Sequence, residues 1–242
     1  MISLEISLII TNFELRIGKM MYHESEKLMR NLEDLSAEEI LLYSKHNFAE
    51  NVVFASSLGL EDQVLLDMIM RNNIKIDIFT LDTGRLFDET YQLIQKSEEK
   101  YNCKIKIYFP NQEAVEQMVW QYGINLFYES SVLRKECCHI RKLEPLSRAL
   151  TPYDAWICGR RQRQSSNRTN SKVIKVDNNK RFKINPLYKW TEKELWNYIR
   201  KYDVPYNPLH DENFPSIGCA CCTRAVRSGE NLRSGRWWRE AP

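Results

Sequence analysis

Four cysteines define the chemistry this chain could do. Cys137 and Cys138 are adjacent, and Cys219 and Cys222 follow about eighty residues later as a C-x-x-C pair. Four sulfurs suffice to close a metal site. Both pairs lie among arginines and lysines, which points to a sulfur-ligated centre beside an anion-binding surface. Zinc sites draw on cysteine pairs spaced by roughly two to four residues, and a tandem pair is an awkward chelate for one tetrahedral ion. An iron–sulfur cube presents separate iron corners, so adjacent sulfurs can bind different atoms. The spacing therefore favours a [4Fe–4S] cluster over zinc, with incidental buried cysteines as the plain alternative. Lys142 follows Cys138 by four residues, which on a helix places its ammonium over the sulfur's face. There it would offset thiolate charge and face an anionic substrate. Cys103 and Cys158 fall in or beside expected strands and read as core. Cys221, between the two C-x-x-C sulfurs, reads as a turn residue whose thiol, if exposed, is prone to oxidation.

Several segments carry anion-binding chemistry. Ser57-Leu58-Gly59 joins an expected strand to a helix start, where backbone N–H groups and the helix dipole can cradle a phosphate; a plain serine-capped turn is the other reading. Asp82-Thr83-Gly84-Arg85 puts a carboxylate, a hydroxyl and a guanidinium in one loop, either at an oxyanion or as a surface turn in which Asp82 pairs with Arg85. From Gly159 to Arg168 there are four arginines in nine residues, Arg160, Arg161, Arg163 and Arg168, interleaved with amides and hydroxyls. Such a loop suits an anion, with a solvated basic loop as the alternative. Nucleic acid is a poorer fit, because no aromatic residues interleave the charge. Arg233 and Arg236, three apart with small residues between, can reach one oxyanion; a solvated turn with packed tryptophans is the alternative.

The elements that position these residues are legible as periodicity. Apolar positions from Glu24 to Asn47 fit one or two amphipathic helices. Asn51–Ser56, Ile76–Leu81, Lys104–Phe109 and Ala155–Cys158 read as strands, with helices after the first and second, the latter from about Asp88 to Tyr101. Alternation of this kind means βαβ units and a mainly parallel sheet, with ligands outside the carboxyl ends of the strands. Lys172–Val176 and Arg181–Ile184 read as a small hairpin. Thr191-Glu192-Lys193-Glu194 is a capping box opening a helix through Tyr202. Beyond Pro205 the chain reads as irregular.

The chain has 242 residues, 43% of them hydrophobic and 28% charged, with a net charge of +3. That is ordinary for a globular protein and gives no general reason to expect a nucleic-acid or membrane partner. Seven cysteines without a secretory signal point to a reducing cytoplasm. Residues 1–22 read as an extension of uncertain order, with Met20 and Met21 as alternative starts. The sequence leaves oligomeric state open, and a homo-oligomer is compatible with it.

Taken together, the motifs resemble the assimilatory sulfonucleotide reductases, specifically the iron–sulfur branch that reduces adenylyl sulfate. The matching stretches are Ser57–Asp62, Leu81–Arg85, Cys137-Cys138 with Arg141-Lys142, Gly159–Arg168, Asn207–Asp211, Gly218–Arg224 and Gly235–Trp238. They run in the family's order over most of the chain, and the tandem cysteines with C-x-x-C are specific to the cluster-bearing branch. The resemblance implies an α/β, adenine-nucleotide α-hydrolase-like fold over residues 23–242, with an irregular cysteine-bearing C-terminal segment. It implies a [4Fe–4S] cluster on Cys137, Cys138, Cys219 and Cys222. It also implies adenylyl sulfate as substrate, AMP and sulfite as products, and thioredoxin as reductant. Ser57, Gly59, Asp82, Gly84 and Arg85 would line the nucleotide site, Lys142, Arg168, Arg233 and Arg236 would hold the phosphosulfate, and Arg161 would be a further substrate-binding residue. In the family a cysteine in a Glu-Cys-Gly-Leu-His-like motif, shortly after the tryptophans, attacks the sulfate sulfur to give S-sulfocysteine. No cysteine follows Cys222 here, so the expectation is a chain that binds the nucleotide but forms no S-sulfo intermediate. Two other readings stand beside it: a reductase that also accepts the 3′-phosphorylated substrate, and a non-catalytic nucleotide-binding module with a structural metal.

Overall fold

A computed structural model describes residues 26–162 and 172–240. The expected N-terminal extension (1–22) and Arg163 and Arg168 of the basic loop lie outside the described residues. Residues 26–32 are helical, and α1 (Ala37–Phe48) follows behind a capping box. Ser36 Oγ accepts the N–H of Glu39 at 3.2 Å, and the Glu39 carboxylate accepts the N–H of Ser36 at 2.7 Å. The chain continues through β1 (Val52–Ala55), α2 (Leu60–Arg71), β2 (Asp77–Leu81), α3 (Asp88–Tyr101) and β3 (Lys106–Tyr108). It goes on through α4 (Gln112–Tyr122), α5 (Ser131–Cys138), α6 (Glu144–Leu150), β4 (Ala155–Ile157), β5 (Ile174–Val176), β6 (Phe182–Ile184) and α7 (Glu192–Tyr202). The expected capping box of α7 forms: Thr191 Oγ1 accepts the N–H of Glu194, whose carboxylate accepts the N–H of Thr191 at 2.7 Å.

The six strands form one sheet in the order β3-β2-β1-β4-β6-β5. All pairings are parallel except that of β5 with β6. Val52, Val53 and Phe54 are all buried, as a strand covered on both faces requires. Sequential strands β2 and β3 lie to one side of β1 and β4 lies to the other, so the crevice between the β1 and β4 exits is the topological switch point. The expected small hairpin forms as β5 and β6, and β6 also pairs with β4 in parallel, so the hairpin extends the main sheet. No helix among the described residues is long and apolar enough to cross a membrane.

Between β3 and β4 the chain builds α4, α5 and α6, which apolar periodicity did not locate. α5 and α6 are joined by a wider π turn, His139–Leu143, in which the N–H of Glu144 bonds the carbonyl of His139. Pro145 explains it. Proline has no N–H to give to the carbonyl four residues back, and its ring crowds that carbonyl, so the preceding turn opens.

At the switch point one carboxylate ties two strand exits together. Asp62, at the start of α2, accepts the N–H and hydroxyl of Ser57 after β1 and the N–H of Gly159 after β4, at 2.5 to 2.6 Å. A Cβ on Gly159 would lie 2.5 Å from Glu61 Cβ and 2.6 Å from Asp62 Oδ1. Gly159→Ala is therefore expected to cost about 1–3 kcal/mol of stability, by overpacking, and to weaken whatever ligand the crevice holds. Denaturant unfolding and ligand titration of the variant check both.

Candidate active site

A cleft of about 500 Å³ opens at the switch point. One wall is the Ser56–Asp62 turn at the N-terminus of α2, whose N-cap is Gly59. Lys142 from the π turn, with Arg233 and Arg236 from the C-terminal segment, supplies cations to the opposite side, and Arg160 and Lys183 add two more after β4 and on β6. Burial, and then the neighbouring charge of Arg236, depresses the Arg233 guanidinium below its ordinary range. Two guanidiniums crowded in partial burial are poised for an anion. Arg236 is aimed by its own segment: Nη1 donates to the Ile217 carbonyl at 2.9 Å, and its backbone bridges Thr223.

A second cavity, of about 650 Å³, lies beside the first. Cys137, Cys138, Cys219, Cys221 and Cys222 all line it, and all seven cysteines of the chain are unpaired. Cys137 is 8% exposed, and burial pushes its thiol up to about 11, against the opposing field of Arg141. Thr83 Oγ1 lies 3.2 Å from Cys219 Sγ, and the Thr83 carbonyl accepts Arg141 Nη1 at 2.8 Å. Among the described residues, no three Cys, His, Asp or Glu side chains close around a point fit for a single metal ion.

The two cavities share a wall. Thr83, Lys142, Leu143, Arg236 and Trp237 line both. Trp237, with backbone φ of 51°, sits under three guanidiniums, those of Arg134 (4.6 Å), Arg236 (5.4 Å) and Arg233 (6.0 Å). Its N–H donates to the Cys222 carbonyl at 2.9 Å. Arg134 clamps Glu240 through two hydrogen bonds, which holds the C-terminal segment on α5.

The structure thus brings together Ser57, Gly59, Lys142, Arg233 and Arg236 in one cleft and the four expected ligand cysteines in the adjoining cavity. It turns the other candidates elsewhere. The Asp82 carboxylate accepts the Gly84 N–H at 2.7 Å and the Tyr91 hydroxyl at 3.0 Å, closing its own loop. Gly84 is left-handed, φ 66°, with Arg141 Nη1 3.3 Å from where a Cβ would sit. Arg85 does not pair with Asp82: it donates to the Ile124 carbonyl at 2.7 Å and lines the thiol cavity. Arg161 is buried in an ion pair with Glu61 at 2.8 Å, and Arg160 faces the cleft in its place. Cys138 and Lys142 both line the thiol cavity across the π turn, and Lys142 also reaches the shared wall. Cys158 lies at the cleft, not in the core, with its thiol donating to Asn185 Oδ1 at 3.3 Å.

Residues 51–225 match the family model described as the phosphoadenosine phosphosulfate reductase domain. The chain belongs to that family. The chain is 50% identical over 194 residues to adenosine 5′-phosphosulfate reductase of Allochromatium vinosum, covering 80% of this chain and 76% of that one. It is 48% identical to the enzyme of the same name from Burkholderia cepacia, covering 79% and 77%. Among solved structures, phosphoadenylyl-sulfate reductase from Candida auris superimposes with TM-score 0.72 at 30% identity, covering 84% of this chain and 96% of that one. An FMN adenylyltransferase from Candida glabrata shares the fold, with TM-score 0.55 at 14% identity over 90% and 74%.

One residue of the domain's cleft stood in a quoted motif without an assigned role. His210 lines the cleft, and its Nε2 is buried with no hydrogen-bond partner among the described residues. Burial holds the imidazole down to about 4 from 6.5. The unfolded chain then takes up the proton first as pH falls, so stability is present above pH 6.5 and is lost toward pH 4. The full loss is roughly 3 kcal/mol. His210→Gln is expected to flatten that part of the acid limb, which urea titrations at pH 7 and pH 4.5 measure.

Proposed function

We propose that this protein is an adenosine 5′-phosphosulfate reductase of sulfate assimilation, releasing AMP and sulfite with thioredoxin as reductant. The observation that carries the reading is a cationic cleft at the switch point sharing a wall with a cavity lined by the tandem and C-x-x-C cysteines. Relatives at about half identity over most of the chain bear this enzyme's name. The phosphosulfate is the anion for Lys142, Arg233 and Arg236, while the N-terminus of α2 at Ser57–Gly59 receives a phosphate oxygen. Arg168 belongs to the same proposal from sequence alone. Seven unpaired thiols suit a reducing cytoplasm.

Cys137, Cys138, Cys219 and Cys222 would hold a [4Fe–4S] cluster, and an all-sulfur donor set of this kind fits iron–sulfur or zinc. When bound, the cluster supplies a charged iron–sulfur centre behind the wall that carries Lys142. Arg134 and Arg141 compensate thiolate charge there, and Thr83, which lines both cavities, meets the sulfur of Cys219 and the guanidinium of Arg141. In the chemistry of this reading a cysteine thiolate attacks the sulfate sulfur, the bond to the AMP oxygen breaks, and two electrons from thioredoxin free sulfite from S-sulfocysteine. Five of the seven cysteines line the cluster cavity, and burial pushes the thiols of Cys103 and Cys158 up. None is placed as the attacking thiol. We assign to these residues the binding of substrate and cluster.

A second reading rests on Arg160 and Lys183, two further cations on the cleft that could meet a 3′-phosphate. Titrating adenylyl sulfate and its 3′-phosphorylated form against the protein separates the two. Adenylyl sulfate is expected to bind more tightly, and Lys142→Ala or Arg233→Ala to weaken it about tenfold or more, the worth of a hydrogen bond to a charged group. Iron and acid-labile sulfide are each expected near four per chain. Affinity for adenylyl sulfate no better than for AMP would overturn the substrate, and zinc without sulfide would overturn the cluster.

A further inference from the structure

The thiol cavity holds one sulfur more than a cube needs. Cys221 lies in the short 3-10 turn Ala220–Cys222. Neighbours on such a turn diverge by about 120°, so a filler at this position would point away from its ligand neighbour. It does not. Cys221 and Cys222 both line the cavity, with their sulfurs 3.8 Å apart. Both pack against the same buried group of Met118, Leu126, Phe127 and Cys137. The turn is held at each end: the N–H of Ala220 donates to the Arg85 carbonyl at 2.8 Å, and the Cys222 carbonyl accepts from Trp237. Its backbone is therefore fixed while two sulfurs occupy one corner.

We propose that Cys221 is a reserve ligand. Cys137, Cys138 and Cys219 are the fixed thiolates, and the fourth position can be filled by Cys222 or by Cys221. This rests on the cluster reading above and goes beyond it, since that reading gives Cys221 no part. Exchange trades one iron–sulfur bond for another and moves one proton from the Cys221 thiol to the displaced Cys222 sulfur, with no change of oxidation state. A spare sulfur would let the centre survive damage to Cys222, the loss that empties a four-cysteine site.

The test uses alanine variants of the cluster-loaded protein, because a serine alkoxide can itself bind iron. Iron, acid-labile sulfide and visible circular dichroism are read per chain, with far-ultraviolet circular dichroism to follow folding. Cys221→Ala and Cys222→Ala are each expected to keep at least three-quarters of the wild-type iron. The double variant and Cys219→Ala should keep less than a quarter. Iron-loaded wild type with Cys222→Ala as empty as the double variant overturns the reserve ligand alone; iron-free wild type overturns the cluster reading and this inference with it. A measurement without substitutions keeps the test open should Cys222→Ala not fold. Iodoacetamide with peptide mapping on the loaded wild type is expected to label Cys221 ahead of the other four lining cysteines. Labelling of Cys222 ahead of Cys221, or equal protection of all five, overturns the proposal.

Discussion

Asp62 is 4% exposed and accepts three hydrogen bonds from two strand exits that are about a hundred residues apart in sequence. Burial pushes its carboxyl above the usual range even so, which measures how much the position asks of the surrounding N–H and O–H groups. The next residue back completes the joint, since Glu61 holds Arg161 in a buried ion pair. Consecutive acidic residues at the first turn of α2 thereby fix the loop after β1 against the loop after β4. The cleft exists because those two loops cannot drift apart, and every cation that faces it is placed relative to that joint.

The opposite wall depends on a different kind of contact. Trp237 collects three guanidiniums around one ring while its backbone is bonded to the cysteine turn. A chain segment with little regular structure is held by side chains that also do the binding, so positioning and recognition draw on the same groups. This is why the irregular C-terminal segment can present Arg233 and Arg236 to the cleft as firmly as a strand presents its exit loop.

Much of this was legible beforehand because it is local. The helix expected from about Asp88 to Tyr101 forms as α3, and the capping box at Thr191 forms both of its bonds. What sequence could not settle was direction. Arg160 and Arg161 are neighbours in a basic loop, and the choice of which faces the cleft is made by Glu61 on another element. Asp82 looked available for a ligand, but one of its oxygens accepts from both Gly84 and Tyr91. The spacing of Lys142 from Cys138 was counted on an ideal helix, and Pro145 changes the count.

That change of count has a wider consequence. A turn of five residues between α5 and α6 puts the two helices out of phase by about one residue, or roughly 100°. The Cys137 side of α5 turns to the thiol cavity, while Ala149 and Leu150 of α6 pack on Val53 and Phe79 of the sheet. An unbroken helix could satisfy one orientation but not both. Loss of a single residue between Cys138 and Pro145 would restore the regular phase and rotate one end against the other, and gain of one would turn it about 100° further out of phase. Among descendants of this chain the spacing of that pair should therefore tolerate substitutions far better than changes of length.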